Sequence, residues 1–248
     1  MSAQTRRRGP HPSDKKFFTP SSLGVLRMAT QELCWLLSRG YNENSALKLV
    51  GDRHQLAKRQ RIAISRCSCA NHALTGRLQS RVEPDFLKGQ KLAVDGFNCL
   101  ITLETALSGG LVLIGQDGCH RDLASIHGTY RAVSKTKEII HLIGKTLSKA
   151  GLGNLSWLLD RPVSNSGRLK NLLAQTAESA GWQWDIELCN NPDKHLVNCG
   201  AIVASSDSWV IDNCKQWIDL VGLVLNGCEK LGLPPYATTP WLFDLRPN

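Results

Sequence analysis

Three apolar runs, each ending in aspartate, constrain the fold of this chain more than any other feature. Leu92-Ala93-Val94 runs into Asp95, Leu155-Ser156-Trp157-Leu158-Leu159 into Asp160, and Ala201-Ile202-Val203-Ala204-Ser205-Ser206 into Asp207. Strands of a parallel sheet are covered on both faces, so they read as unbroken apolar runs. Ligands of such sheets bind beyond the carboxyl ends of the strands. Three strands of this kind bring three carboxylates to one sheet edge. Unpaired carboxylates are seldom buried. Clustered ones repel unless a cation lies among them, and hard oxygen donors suit Mg²⁺ or Mn²⁺.

The segments between these runs alternate helix and strand across 91–225, which predicts an α/β three-layer sandwich with a mainly parallel sheet. A helix is expected over 100–107, broken at Gly109-Gly110. Residues 111–114 and 119–123 read as a hairpin around Gln116-Asp117-Gly118. A long helix is expected over 130–150, with Ile139, Ile140, Leu142, Ile143 and Leu147 on its apolar face and Gly151 at its end. Residues 182–188 form a further strand, and Asn190-Asn191-Pro192-Asp193 opens a short helix. After Asp207 a helix is expected through Trp209, Ile211, Trp217 and Leu220, an aromatic stripe that fits core better than a binding surface. Gly151-x-Gly153 precedes a strand instead of following one, so it is no dinucleotide fingerprint.

Charge is unevenly spread. Residues 1–88 carry 16 Lys and Arg against 6 Asp and Glu, whereas residues 89–248 carry 14 against 15, so the net +9 lies in the N-terminal third. Such asymmetry fits contact with a polyanion, and equally a well-solvated basic surface. Residues 1–20, with Arg6-Arg7-Arg8, read as a basic arm. Residues 21–88 read as a small helical basic domain. Ser21 or Ser22 can cap its first helix, which ends near Gly40, and Asn42 or Asn44 its second. A third helix carries Arg59, Arg61 and Arg66, and a fourth spans 71–80. With Arg53, these arginines are candidates for phosphates along a nucleic-acid backbone. Aromatic residues are nearly absent between them, so base stacking is not indicated.

Cys67-x-Cys69-x-x-His72 has some zinc character, but on one helix these side chains diverge, and packing is the better reading. The nine cysteines contain no CxxC pair, which fits reduced thiols and a cytoplasmic location. No run approaches a membrane span, so no membrane partner is expected. Pro84 and Gly89 mark a linker, and the α/β domain occupies 90–248. Its loop Ser164-Asn165-Ser166-Gly167-Arg168 opens a helix. Ser164, Asn165, Ser166 and Arg168 could hold a phosphate there, or one serine could simply cap the helix.

At Asp95-Gly96-Phe97-Asn98, Asp160, Asp193 and Ser205-Ser206-Asp207 the C-terminal part resembles PIN-like domains, most closely the NYN branch of metal-dependent ribonucleases. The whole chain resembles the family known as domain of unknown function 434, through Ser38-Arg39-Gly40-Tyr41 and Gly51-Asp52-Arg53-His54. The PIN-like resemblance implies a nuclease in which Asp95, Asp160 and Asp207 hold Mg²⁺ or Mn²⁺. Asp193 completes the cluster, and Asn98 fixes Asp95 or touches substrate. The expected function is therefore hydrolysis of phosphodiesters, in RNA by preference, with the N-terminal domain holding the strand. Two alternatives stay open: a non-catalytic nucleic-acid-binding protein, and a phosphohydrolase of a small phosphorylated molecule.

Overall fold

A computed structural model describes residues 9–124, 130–228 and 241–247. Arg6, Arg7 and Arg8 of the expected arm lie outside the described residues. The described chain starts with a short turn of helix, α1 (Asp14–Phe17), and four helices follow: α2 (Leu23–Ser38), α3 (Glu43–Arg53), α4 (Lys58–Cys67) and α5 (Asn71–Ser80). Asn42 caps α3 as expected, accepting from Ser45 N at 3.3 Å. Ser22 precedes α2 but does not cap it. Its hydroxyl turns back to accept from Thr19 N at 3.0 Å.

The main sheet has five parallel strands in the order β5-β4-β1-β6-β7: β1 (Lys91–Asp95), β4 (Asn154–Asp160), β5 (Trp184–Cys189), β6 (Ile202–Ala204) and β7 (Trp217–Ile218). The chain starts in the centre, winds one way through β4 and β5, then returns to the other side of β1. The switch point lies between β1 and β6. Period-two burial divides the strands between two layers. Leu92, Val94, Trp157 and Leu159 join a core with α6 (Gly96–Leu107), α7 (Thr136–Lys149), α8 (Ser166–Ala180) and α11 (Leu220–Cys228). Ala93, Leu158 and Val203 face a smaller core with α9 (Pro192–Asn198) and α10 (Ser208–Asn213).

Four boundaries differ from expectation. Helix α6 begins immediately after Asp95, because that side chain caps it by accepting from Asn98 N at 3.4 Å. Helix α7 begins at Thr136, not 130. The preceding segment is pinned by Tyr130, whose hydroxyl donates to buried Glu104 at 2.6 Å, and by Val133 N donating to Thr136 Oγ1 at 2.9 Å. Helix α8 begins at Ser166. The expected helix through Trp209 and Trp217 breaks at Asn213, and Trp217 becomes an edge strand. Its indole is completely buried and donates to Arg77 O at 2.8 Å. Of the expected core stripe, Trp209 stays 48% exposed.

The hairpin, β2 (Val112–Ile114) and β3 (His120–Asp122), stays apart from the main sheet. It forms a second sheet with β8 (Leu242–Asp244), which runs parallel to β2. Leu111, Leu113, Leu123, Phe243 and Leu245 share one core with Phe18, Leu26, Leu33, Val50 and Ile64 of the N-terminal segment. Asp117 of the hairpin turn is buried between Arg121 (2.7 Å) and Arg77 of α5 (2.7 Å), and Arg77 also binds Asp212 of α10 at 2.6 Å. Burial alone would raise the Asp117 pKa, but its two arginines hold it well below the usual carboxylate range. The 84–89 segment is therefore not a boundary of the hydrophobic core. Leu87 within it is completely buried against the main sheet's core.

Candidate functional site

Beyond the carboxyl ends of the strands, next to the β1/β6 switch point, lies a cavity of about 520 Å³. Asp95, Asn98, Asp160, Asp193 and Asp207 all line it. Each is placed by its element. Asp95 and Asp160 end neighbouring strands, Asp193 is in the first turn of α9, and Asp207 caps α10 by accepting from Val210 N at 3.1 Å. Gly96 lets β1 turn directly into α6, since a Cβ there would lie 2.4 Å from Leu159 Cδ2. That close approach is why glycine follows the aspartate.

The two ends of the site are tied by side chains. Ser205 Oγ donates to Asp95 Oδ2 at 2.8 Å and accepts from Asp207 N at 3.0 Å, while Ser206 Oγ hydrogen-bonds Asn98 Oδ1. Asn98 thus holds Asp95 through its backbone N–H and joins the Ser-Ser-Asp turn through its side chain. Burial, reinforced by the charge of Asp193, pushes the Asp95 pKa up to about 6, although the Ser205 and Asn98 hydrogen bonds oppose it. Asp193 is raised by burial and by the charges of Asp207 and Asp160, and Asp160 is raised by burial. These carboxylates therefore act on one another, and a cation would relieve them.

The oxygen donors suit a hard divalent ion. Among the described residues, however, no three acidic, histidine or cysteine side chains group closely enough to hold one. A site of this spacing would hold a hard ion only through one or two carboxylates, with waters and substrate phosphates as its other ligands.

Three further charged residues line the cavity. Asp122, buried at the end of β3, accepts from Thr102 Oγ1 and Ala124 N. Arg121 is buried and engaged by Asp117 and by Ser206 O at 3.0 Å. Arg66, at the end of α4, donates to the carbonyls of Asp122 and Ala124. The sequence did carry a signal for Asp122, because it too closes a short buried strand.

The other expected anion contacts lie elsewhere. Asn165 and Arg168 border a second hollow with Tyr130 and Arg131, and Ser164 to Arg168 do not line the acidic cavity. Neither Ser164 nor Ser166 caps α8. Asn165 occupies that position in the left-handed region (φ 71°), donating through Nδ2 to Tyr130 O at 2.8 Å, and Ser166 Oγ donates to Arg161 O. Arg53 pairs with Glu32 at 3.3 Å, Arg59 with buried Asp14, and Arg61 with Asp52 at 2.8 Å. The Arg61 guanidinium packs on Gly51, 2.5 Å from where a Cβ would stand. His54 bonds Glu32 at 2.8 Å, so Gly51-Asp52-Arg53-His54 is a packing and pairing motif. Cys67 and Cys69 are buried, and the eight described cysteines are free thiols. No helix among the described residues is long and apolar enough to cross a membrane.

No solved structure matches this chain. Residues 25–79 match the family described as "Protein of unknown function (DUF434)". The chain is similar to "Uncharacterized protein MJ0935" of Methanocaldococcus jannaschii, 28% identical over 209 residues that cover 83% of this chain and 99% of the relative. Residues 84–223, more than half of the chain and including every carboxylate of the cavity, match a second family, and on that match the protein belongs to the family described as "Domain of unknown function (DUF5616)".

Proposed function

We propose that this protein is a PIN-like, metal-dependent phosphodiesterase that acts on RNA. One observation carries the reading: Asp95, Asp160, Asp193 and Asp207, far apart in sequence, line one cavity at the switch point of a parallel sheet. Of Asp95, Asp160 and Asp207, one or two would hold Mg²⁺ or Mn²⁺ directly and the rest through its waters. The ion would lower the pKa of a bound water and offset charge on the phosphate. Asp193, raised in pKa by burial and by its acidic neighbours, is suited to take or return a proton. Ser205 and Asn98 fix Asp95, and the apolar wall of Phe97, Ile101 and Val163 limits water around the reacting phosphate.

The test is cleavage of a labelled single-stranded oligoribonucleotide in Mn²⁺ by the full chain and by Asp95→Asn and Asp193→Asn. Loss of metal-dependent cleavage in both variants supports the reading; cleavage by Asp95→Asn at the wild-type rate removes it.

The pairing of Arg53, Arg59 and Arg61 with acids, and a cavity sized for a single small ligand, favour a second reading. It is a phosphohydrolase of a small phosphorylated molecule. Its activity would depend only weakly on salt, unlike binding of a long polyanion.

A further inference from the structure

The acidic cavity poses a problem for any phosphate ligand, because five carboxylates line it: Asp95, Asp122, Asp160, Asp193 and Asp207. Two arginines share its wall, and they are not equivalent. Arg121 is 4% exposed, and each of its guanidinium nitrogens already has a partner: Nε on Ser206 O at 3.0 Å, Nη1 and Nη2 on the two Asp117 oxygens at 2.7 Å. Taking it from those bonds would leave buried Asp117 with Arg77 as its one remaining arginine and break two charge-assisted hydrogen bonds.

Arg66 is different. Its side chain is 36% exposed, and it is held from one side by backbone carbonyls, Nη1 and Nη2 donating to Ala124 O at 3.3 and 3.2 Å and Nη1 also to Asp122 O. The Asp122 carboxylate lies 3.8 Å away and completes an anionic bracket behind the guanidinium. A guanidinium has five N–H donors in a planar fork. These carbonyl contacts involve Nη1 and Nη2 and leave the Nε donor and an Nη2 donor for a ligand. A fork of this kind matches a phosphate in a way that a point charge does not.

We propose that Arg66, delivered by the N-terminal helices, anchors a substrate phosphate inside the acidic cavity, with Asp122 as its positioning residue. This deepens the phosphodiesterase reading and rests on it for the identity of the substrate. The N-terminal segment then contributes to the site itself, not to a remote basic face. The competing role is purely architectural: Arg66 would only clamp α4 to the end of β3.

The experiment compares full-length wild type, Arg66→Ala and Arg66→Lys with a fluorescein-labelled single-stranded oligoribonucleotide in Mn²⁺. Anisotropy gives Kd and its salt dependence, gel analysis gives cleavage, and thermal melts report folding. Anchoring predicts that Arg66→Ala raises Kd about tenfold or more. It also predicts that the slope of log affinity against log salt flattens by about 0.7, one phosphate contact. Arg66→Lys should restore the slope but only part of the affinity. A clamp predicts a lower melting temperature with Kd and slope unchanged in both variants, and that result overturns the proposal. So does an oligonucleotide that fails to bind the wild type. Binding that depends on Arg66 without any cleavage would instead overturn the phosphodiesterase reading and leave the anchor standing.

Discussion

Ser205 donates to Asp95 at 2.8 Å while accepting from the backbone of Asp207 at 3.0 Å, so one buried hydroxyl fixes the distance between the ends of β1 and β6. Those two ends frame the switch point. The hydroxyl holds Asp95 but does not neutralise it, and burial with the neighbouring Asp193 still raises its pKa to about 6.

That shift has a definite sign in stability. Below the ordinary Asp pKa both folded and unfolded states are protonated; between there and about 6 the folded state binds the extra proton, so stability falls as pH rises. Asp95→Asn keeps an oxygen for the Asn98 N–H and loses the charge. It should therefore stabilise the metal-free protein at pH 7, by up to about 3 kcal/mol, with the gain vanishing towards pH 4. Urea titrations at the two pH values check this. An Asn variant no more stable at pH 7 than wild type would mean that Asp95 is not strained by its surroundings.

Divalent ions provide the complementary measurement. A ligand that binds only the native state raises its stability. Mg²⁺ or Mn²⁺ should raise the melting temperature of wild type, and the response should disappear in Asp95→Asn. An equal Mn²⁺ response in the two proteins excludes Asp95 as a ligand.

Asp117 is 1% exposed and Arg77 5% exposed, and their bond joins α5 to the hairpin turn. Removing Arg77 leaves Asp117 with Arg121 alone and one of its buried oxygens short of a donor, at a cost of about 1–3 kcal/mol. Arg77→Met should lower stability by that amount in urea denaturation. Because the Arg77 side chain also holds Asp212 and its backbone carbonyl accepts from the Trp217 indole, the whole chain should unfold in one transition.

By charge alone, cutting the chain within 84–89 separates a basic N-terminal third from a nearly neutral remainder. The shared core contradicts such separability: residues 90–248 alone would expose Leu111, Leu113, Leu123 and Phe243, and would leave Asp117 without Arg77. The fragment should elute as aggregate in size-exclusion chromatography and lack a cooperative melt. A monomeric, cooperatively folded fragment would show that the small sheet needs no helical cover.

Asn165 holds a left-handed conformation at the start of α8. Asn165→Ala should cost about 1–2 kcal/mol, combining the left-handed penalty with a lost hydrogen bond, while Asn165→Gly should cost less. Thermal melts of both variants separate the two contributions. Equal losses would assign the effect to the Tyr130 hydrogen bond alone.

The sequence by itself determined the elements that carry the chemistry. Buried parallel strands need unbroken apolar runs, and a carboxylate at the end of each has nowhere to lie but the sheet edge, so Asp95, Asp160 and Asp207 could be placed before any coordinates. The helices over 23–80 were legible for the same reason, since apolar spacing and a capping Asn42 are local signals. Arg53, Arg59 and Arg61 were equally visible, but their partners Glu32, Asp14 and Asp52 were not. Pairing depends on which helices meet, and a run of arginines reads the same whether it faces solvent or a carboxylate. Tertiary structure alone decided that Trp217 is a strand residue and that 242–244 pairs beside 112–114. It also decided that Arg66 and Asp122, 56 residues apart, meet at the acidic cavity. The physical reason is common to all three: short strands and ion pairs gain stability from partners distant in sequence, and nothing in a few neighbouring residues records who those partners are.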